Sequence, residues 1–405
     1  MIGKPIAPCA VALLFFCPVV AVHGQGEPAP CGTVAGLEDC AETSSGEALT
    51  FRLEADQPVE VPPQPWVGRV IGIPGVEPEL LEKAGVPGIP TFTRTVVARG
   101  KTYRFTMVGS DPFARRARNL VVPVMLIPVR FEFDDGTVFD PTLPGPACAG
   151  GETPLNLALQ SPVFQNVDYG DGSRQYGEEM RRVEFWALTG ARGALNPSYS
   201  LRVSVSVLPT IRVVLTGFPT DHAFCGRVGF LDGGTWDTLV RNTIFPLLRK
   251  QGVSAHTFPL FLFSDVVLFD GDPKKCCTLG YHSWFNSGGT QTYGVADYDL
   301  SEAFRGLTDV AILSHELGEW YDDPFANNPT PAWGHTGQVS GCQANLEVGD
   351  PLTGKSLQVT MPNGVTYHPQ ELAFFSWFFN QIPSLGFDGW YSSLGTFRAP
   401  ASLCK

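Results

Sequence analysis

Ser314-His315-Glu316-Leu317-Gly318-Glu319-Trp320-Tyr321-Asp322-Asp323-Pro324 decides how the rest of this 405-residue chain is read. Val310, Leu313, Leu317 and Trp320 recur at i, i+3, i+7 and i+10, the spacing of one buried helix face. Thr308 is placed to cap the start with Asp309 in the first turn, and Pro324 forces Asp323 out of the helical region and stops the helix. At about 100° per residue, His315, Glu319 and Asp322 form a second stripe roughly opposite the apolar one. An imidazole and a carboxylate four residues apart project together and can reach one ion, while Glu316 lies about 100° round, placed to meet water.

The spacing is that of the zinc pattern H-E-x-x-H, in which two histidines hold the metal and the first glutamate activates water; here Glu319 stands at the second ligand position. Carboxylate oxygen binds zinc at about 2.0–2.2 Å, so the exchange does not forbid zinc. The extra negative ligand lowers the net charge at the metal, weakens the acidification of water and admits harder ions such as calcium or manganese. The plain alternative is an amphipathic helix with its polar stripe in solvent. Gly318 costs a helix interior about 0.5–1 kcal/mol relative to alanine, which suggests that another group approaches the backbone there. Further ligands are at hand in Glu347-Val348-Gly349-Asp350, two carboxylates on a Gly-containing turn, and in Gly280-Tyr281-His282.

Composition sets the frame around this helix. With 43% hydrophobic and 17% charged residues the chain can bury a large core, and a formal net charge of −12 without a basic run argues against nucleic acid or an anionic membrane as partner. Lys4, the apolar stretch Ala10 to Val22 broken by Pro18, and Val22-His23-Gly24 before a cleavage point near Gln25 read as a signal peptide over residues 1–24. The stretch is too short to span a bilayer, so no stable membrane insertion is expected and the protein is read as secreted, extracellular or periplasmic. Its removal leaves Cys31, Cys40, Cys148, Cys225, Cys276, Cys277, Cys342 and Cys404, an even set that allows up to four disulfides in an oxidising compartment. Adjacent Cys276-Cys277 also suggests a soft-metal site, but no C-x-x-C accompanies it.

Residues 25–114 are rich in proline and glycine with short strand-like runs, Phe51-Arg52-Leu53 and Thr102 to Val108, and read as a small β-rich N-terminal region. Residues 115–405 read as a mixed α/β (α+β) domain: strands at Leu120 to Phe133, Leu201 to Leu215 and Phe258 to Phe269 alternate with helices at Tyr176 to Leu188 and Trp236 to Leu248. Asp168-Tyr169-Gly170-Asp171-Gly172-Ser173 lacks the terminal glutamate of a calcium loop and reads as a turn. Phe374 to Phe379 reads as core packing, with a peptide-binding or membrane face as the other reading. There is no G-x-S-x-G and no Walker or dinucleotide glycine pattern.

Ser314 to Glu319, Asp323-Pro324 and Glu347-Val348-Gly349-Asp350 together resemble the H-E-L-x-E-x-x-x-D-P and E-I-G-D segments of the secreted exordium-like, phosphate-induced proteins, and of bacterial exported proteins that look like zincin relatives. The likeness covers about residues 276 to 350; Gly318 stands where alanine is usual, and the tryptophan lies in Ala332-Trp333-Gly334 rather than in an Asn-Ala-Trp-Tyr run. The resemblance implies a zincin-like metallopeptidase-type domain holding zinc, with calcium as an alternative or additional ion. By it, His315 and Glu319 are helix ligands and Glu347 is the third, with His282, His335, Asp323 and Asp350 as rivals. Glu316 would be the general base, and His282 or Tyr281 would stabilise the oxyanion of a peptide or protein substrate. The plant relatives are associated with growth and the cell wall, so the alternative is a non-catalytic extracellular metal-binding or cell-surface protein.

Overall fold

Leu120–Phe133, a single fourteen-residue strand, is the spine of the main sheet. The computed structural model to which it belongs describes residues 67–72, 88–170, 172–190, 194–286, 289–304 and 306–404. The architecture is mixed α+β, with more strand than helix. The spine is long enough to serve two partners along one edge: Leu120–Leu126 pair parallel with Leu201–Val207, and Val129–Phe133 pair parallel with residues of Ile211–Thr216. Its other edge pairs parallel with Phe258–Ser264, every residue of which is buried, as expected for a strand covered on both faces. Beyond it lie Thr290–Tyr298, parallel, and Gly280–Asn286, antiparallel, which ends the sheet.

Two expected strands are each broken in two. Leu201 to Leu215 divides into Leu201–Val207 and Ile211–Thr216, which pair with successive halves of the spine. Phe258 to Phe269 breaks at Asp265, whose backbone lies in the left-handed region at φ 56°. The chain there leaves the main sheet, and Val266–Asp270 enters a four-stranded one between Gly226–Asp232 and Asp272–Thr278. A continuous apolar run cannot reveal such a switch, because both halves are buried. The expected helix at Trp236 to Leu248 forms as Gly233–Leu239, Val240–Ile244 and Phe245–Arg249, capped by Asp232, whose carboxylate accepts from Thr235 N. It sets Trp236 edge-on against Phe131, Phe261 and Phe263.

A second apolar cluster joins distant segments. In the hairpin of Thr91–Ala98 and Lys101–Val108, Phe105 meets Phe375 at 4.7 Å, and the Thr106 amide and carbonyl are both bonded by the Asn328 side chain. This hairpin thus shares a core with Tyr176–Glu184 and with Phe374 to Phe379, the latter buried as core packing requires. Asp168 pairs with Ser173 across a turn. Disulfides join Cys148 to Cys225, Cys342 to Cys404 and Cys276 to Cys277. The first two close loops of 77 and 62 residues and constrain the unfolded chain by roughly 4 kcal/mol each. Residues 1–24, Cys31, Cys40 and Phe51-Arg52-Leu53 lie outside the described residues. Among the described residues no helix is long and apolar enough to cross a membrane.

Candidate metal centre

The helix that carries the opening motif runs Ala311–Asp322, starting two residues later than the sequence suggests. Asp309 is left-handed at φ 48° and turns its carboxylate back to Val310 N, so neither it nor Thr308 enters or caps the helix through its side chain. The end is as expected: Asp323 leaves the helical region at φ −138° before Pro324. The larger difference is burial. All twelve residues are buried, so the polar stripe faces protein rather than solvent. On one side Trp320 stacks on Phe258 at 3.8 Å; on the other, the stripe meets the edge strand Gly280–Asn286, the turn at Glu347 to Asp350, and Gln370.

Three histidine and glutamate side chains from separate segments converge there with two more from the helix. His282 comes from the edge strand, Glu347 from the turn, and His315, Glu316 and Glu319 from the helix; none is more than 3% exposed. Close approach depends on small residues. A Cβ on Gly349 would lie 2.5 Å from His315 Nδ1, and one on Gly280 would lie 2.8 Å from Glu316 Oε1.

The hydrogen bonds around the two imidazoles fix which nitrogen is free. Gln370 Nε2 donates to the Gly349 carbonyl at 2.7 Å, which leaves Gln370 Oε1 as an acceptor for His315 Nδ1–H at 3.1 Å. In the neutral ring, Nε2 therefore carries the lone pair, and it faces Glu319 Oε1 at 3.1 Å and Asp350 Oδ1 at 3.6 Å. In His282, Nε2–H donates to the Asp323 carbonyl at 2.9 Å, leaving the Nδ1 lone pair toward Glu316 Oε2 at 3.5 Å and Glu319 Oε2 at 3.7 Å. Burial keeps that ring neutral by lowering its pKa. Ligating histidines are oriented in this way, one nitrogen held by a carbonyl so that the other is aimed at a metal.

The carboxylates offer no compensating donors. Glu319 Oε1 accepts from the Gly349 and Asp350 amides at 3.1 and 3.3 Å, and Glu347 Oε1 accepts from Asn345 Nδ2 at 2.9 Å. Glu316 Oε2, Glu319 Oε2 and His315 Nε2 are buried without any hydrogen bond. Burial raises the Glu316 pKa to about 8 against the opposing effect of His315, and it pushes Glu319 and Glu347 well above the carboxylate range. A buried set of lone pairs facing one another is costly unless protons or a cation occupy the space between them. The donor atoms fall into two groups, His315/Glu316/Glu319 and His282/Glu319/Glu347, with the atoms of each within 4.8 Å of one another. That chemistry fits a divalent cation such as zinc, which takes nitrogen and oxygen ligands; the all-oxygen preference of calcium fits the two imidazoles less well.

The remaining sequence candidates are placed differently. Asp322 leaves the stripe to pair with buried Arg181. Asp323 serves through its carbonyl, its carboxylate being held by the Asn327 and Asn328 amides. Asp350 lies beside His315 with its carboxylate gripped by Gln338 and Gln343. His335 is exposed near Cys342 and Cys404, which are joined to each other. Tyr281 points to the opposite face of its strand from His282 and lies 3.5 Å from Asp237, as strand alternation demands. Gln370, which orients His315, has no local sequence signal; its backbone N–H donates to Ser314 Oγ. Compared with models of protein families, with curated proteins and with solved structures, the chain matches none.

Proposed function

We propose that the protein is a secreted, metal-dependent hydrolase of zincin type, in which His315 and Glu319 hold zinc and Glu316 acts as general base on a peptide substrate. The observation that carries this reading is the convergence of two imidazole lone pairs and three buried glutamates, with His315 Nε2, Glu316 Oε2 and Glu319 Oε2 lacking hydrogen-bond donors. A bound divalent cation would supply Lewis acidity and lower the pKa of water. Glu316 is beside the cation ligands without being required among them, so its carboxylate is free to take up a proton at Oε2 and return it to a leaving amine. The Asp323 carbonyl holds the Nε2–H of His282, so this side chain is better suited to lend its Nδ1 lone pair than to bind an oxyanion. Gly280–Asn286, at the end of the sheet beside the helix, supports a peptide substrate because an extended chain can add to an edge strand.

Glu316→Gln tests the catalytic step. The variant should retain its metal and lose peptidase activity by about 10²–10⁴-fold. Equal activity in both proteins, or none in either with metal bound, would defeat the reading.

One observation favours a second reading. Every donor is at most 3% exposed, which suits a structural cation in an extracellular or cell-wall-associated protein as well as a catalytic one. In that case metal loss would unfold the domain and Glu316→Gln would change no turnover. Three disulfides suit an oxidising compartment and support secretion, for which a mature N-terminus near Gln25 is the test.

A further inference from the structure

We propose that this centre takes two divalent cations bridged by the Glu319 carboxylate, one on the His315 side and one on the side of His282 and Glu347. The proposal rests on the metal-binding reading above and adds to it the number of ions and the role of His282.

The candidate ligand atoms fall into two groups, His315/Glu316/Glu319 and His282/Glu319/Glu347, which have Glu319 alone in common, and His282 Nδ1 also lies 3.5 Å from Glu316 Oε2, the base of the proposed reaction. The two oxygens of Glu319 face different rings: Oε1 lies 3.1 Å from His315 Nε2, and Oε2 lies 3.7 Å from His282 Nδ1. A carboxylate whose oxygens each meet a different imidazole is disposed to bridge two ions, which in two-metal sites sit about 3.5–4 Å apart. In the second group Glu347 Oε2 lies 3.9 Å from His282 Nε2, the nitrogen that the Asp323 carbonyl holds, so His282 would meet an ion through Nδ1. His282 is 2% exposed and its ring is set by the Asp323 carbonyl, while Asn345 sets the carboxylate of Glu347.

Charge counting points the same way. Glu316, Glu319, Glu347 and Asp350 bring four carboxyl groups to a buried space with two imidazoles, and among the described residues the ion pairs of Glu316 and Glu319 run to histidine. One divalent ion would leave the fully ionised set at −2 in a medium that penalises uncompensated charge, whereas two would bring it to neutrality.

The test is a zinc titration of the full-length secreted chain after chelator treatment, followed by calorimetry, elemental analysis and circular dichroism. Wild type should bind two tight equivalents. His282→Ala should bind one, and Glu319→Ala should lose at least a hundredfold in affinity for both. If His282→Ala does not fold, Glu347→Gln reports on the same ion and should also bind one. Manganese offers an independent readout, because two bridged Mn²⁺ ions give a spin-coupled resonance that an isolated ion does not. One tight equivalent in wild type, with no coupled signal, would overturn the second ion while leaving the hydrolase reading standing. No tight zinc in any form would sink both. Two equivalents unaltered by Glu319→Ala would place the ions elsewhere and overturn the proposal.

Discussion

Asp265, Asp297 and Asp299 are about as buried as Glu316, Glu319 and Glu347, yet the two sets of carboxylates are surrounded by different chemistry. In the aspartate set, the protein supplies donors. Asp265 Oδ1 accepts from the Leu300 and Ser301 amides at 2.6 and 2.8 Å, Asp297 Oδ1 from the Val266 amide at 3.1 Å, and Asp299 from the amides of Ser301 and Phe304. Only Asp297 Oδ2 among these oxygens is buried without a partner. In the glutamate set, donors reach one oxygen each of Glu319 and Glu347, while Glu316 Oε2 and Glu319 Oε2 meet none, and these two glutamates face the lone pairs of two oriented imidazoles instead. Burial of acids is therefore not by itself the mark of an ion site; the direction in which the neighbouring hydrogen bonds run is. The aspartates tie together the loops where the chain passes between sheets, and the glutamates and histidines leave a space for positive charge.

The largest effect that could break this contrast is metal removal. A strong chelator should destabilise the protein by about 4 kcal/mol for each ion present at a thousandfold over its Kd, and scanning calorimetry with and without chelator measures it. Asp297→Asn should leave that response unchanged, whereas Glu319→Ala should abolish it. A chelator response lost in Asp297→Asn but kept in Glu319→Ala would reverse the assignment of the two clusters.

A smaller effect is expected one step out from the ligands. Gln370→Ala frees the His315 ring from the amide that sets its tautomer and should weaken zinc about 10–100-fold, measured by competition with a chromophoric chelator. Gln370→Glu keeps an acceptor for Nδ1–H and should recover part of the loss. Behind the helix, Gly318→Ala would put a Cβ 2.5 Å from Leu372 Cδ1 and should destabilise by about 1–2 kcal/mol without changing zinc stoichiometry. Pairing it with Leu372→Ala, which clears the space, should give a cost below the sum of the two single changes in urea unfolding.

How much of this was legible in the sequence follows from the range over which each feature is determined. The spacing of His315 and Glu319, the stop at Pro324, the strand Leu120–Phe133 and the crowding at Gly318 are local, and each is found where its pattern puts it. The turn with Glu347 could be named as a source of ligand because it holds two acids on a glycine turn. The break at Asp265 is not legible, because a left-handed aspartate between two buried apolar runs leaves the pattern unaltered. Nor is the cover over the polar stripe, since a helix sequence does not tell solvent from a wall of donors contributed by segments about 30 residues to either side. Gln370 is invisible for the same reason: it meets His315 across 55 residues and belongs to no motif. The opposed directions of Tyr281 and His282, by contrast, follow from strand alternation alone.

The finest probe of the contrast is the pH dependence of the aspartate set. Burial, with Asp299 alongside, pushes the Asp265 pKa up to about 7. A carboxyl whose folded value lies above its ordinary value holds its proton more tightly when folded. Its stabilising contribution is therefore complete below the ordinary value and is lost as pH rises toward 7. Asparagine has the same shape, does not titrate, and tolerates the left-handed backbone at this position. Asp265→Asn should therefore show a shallower loss of stability between pH 5 and 8 than wild type, ending about 1 kcal/mol more stable at pH 8, by urea unfolding at both values. The slope should shrink rather than vanish, because Asp297 and Asp299 are also raised by burial and share the titration. An identical slope in the two proteins would mean that the backbone amides around Asp265 already compensate its charge in full, and that the protons of the aspartate set reside on its neighbours.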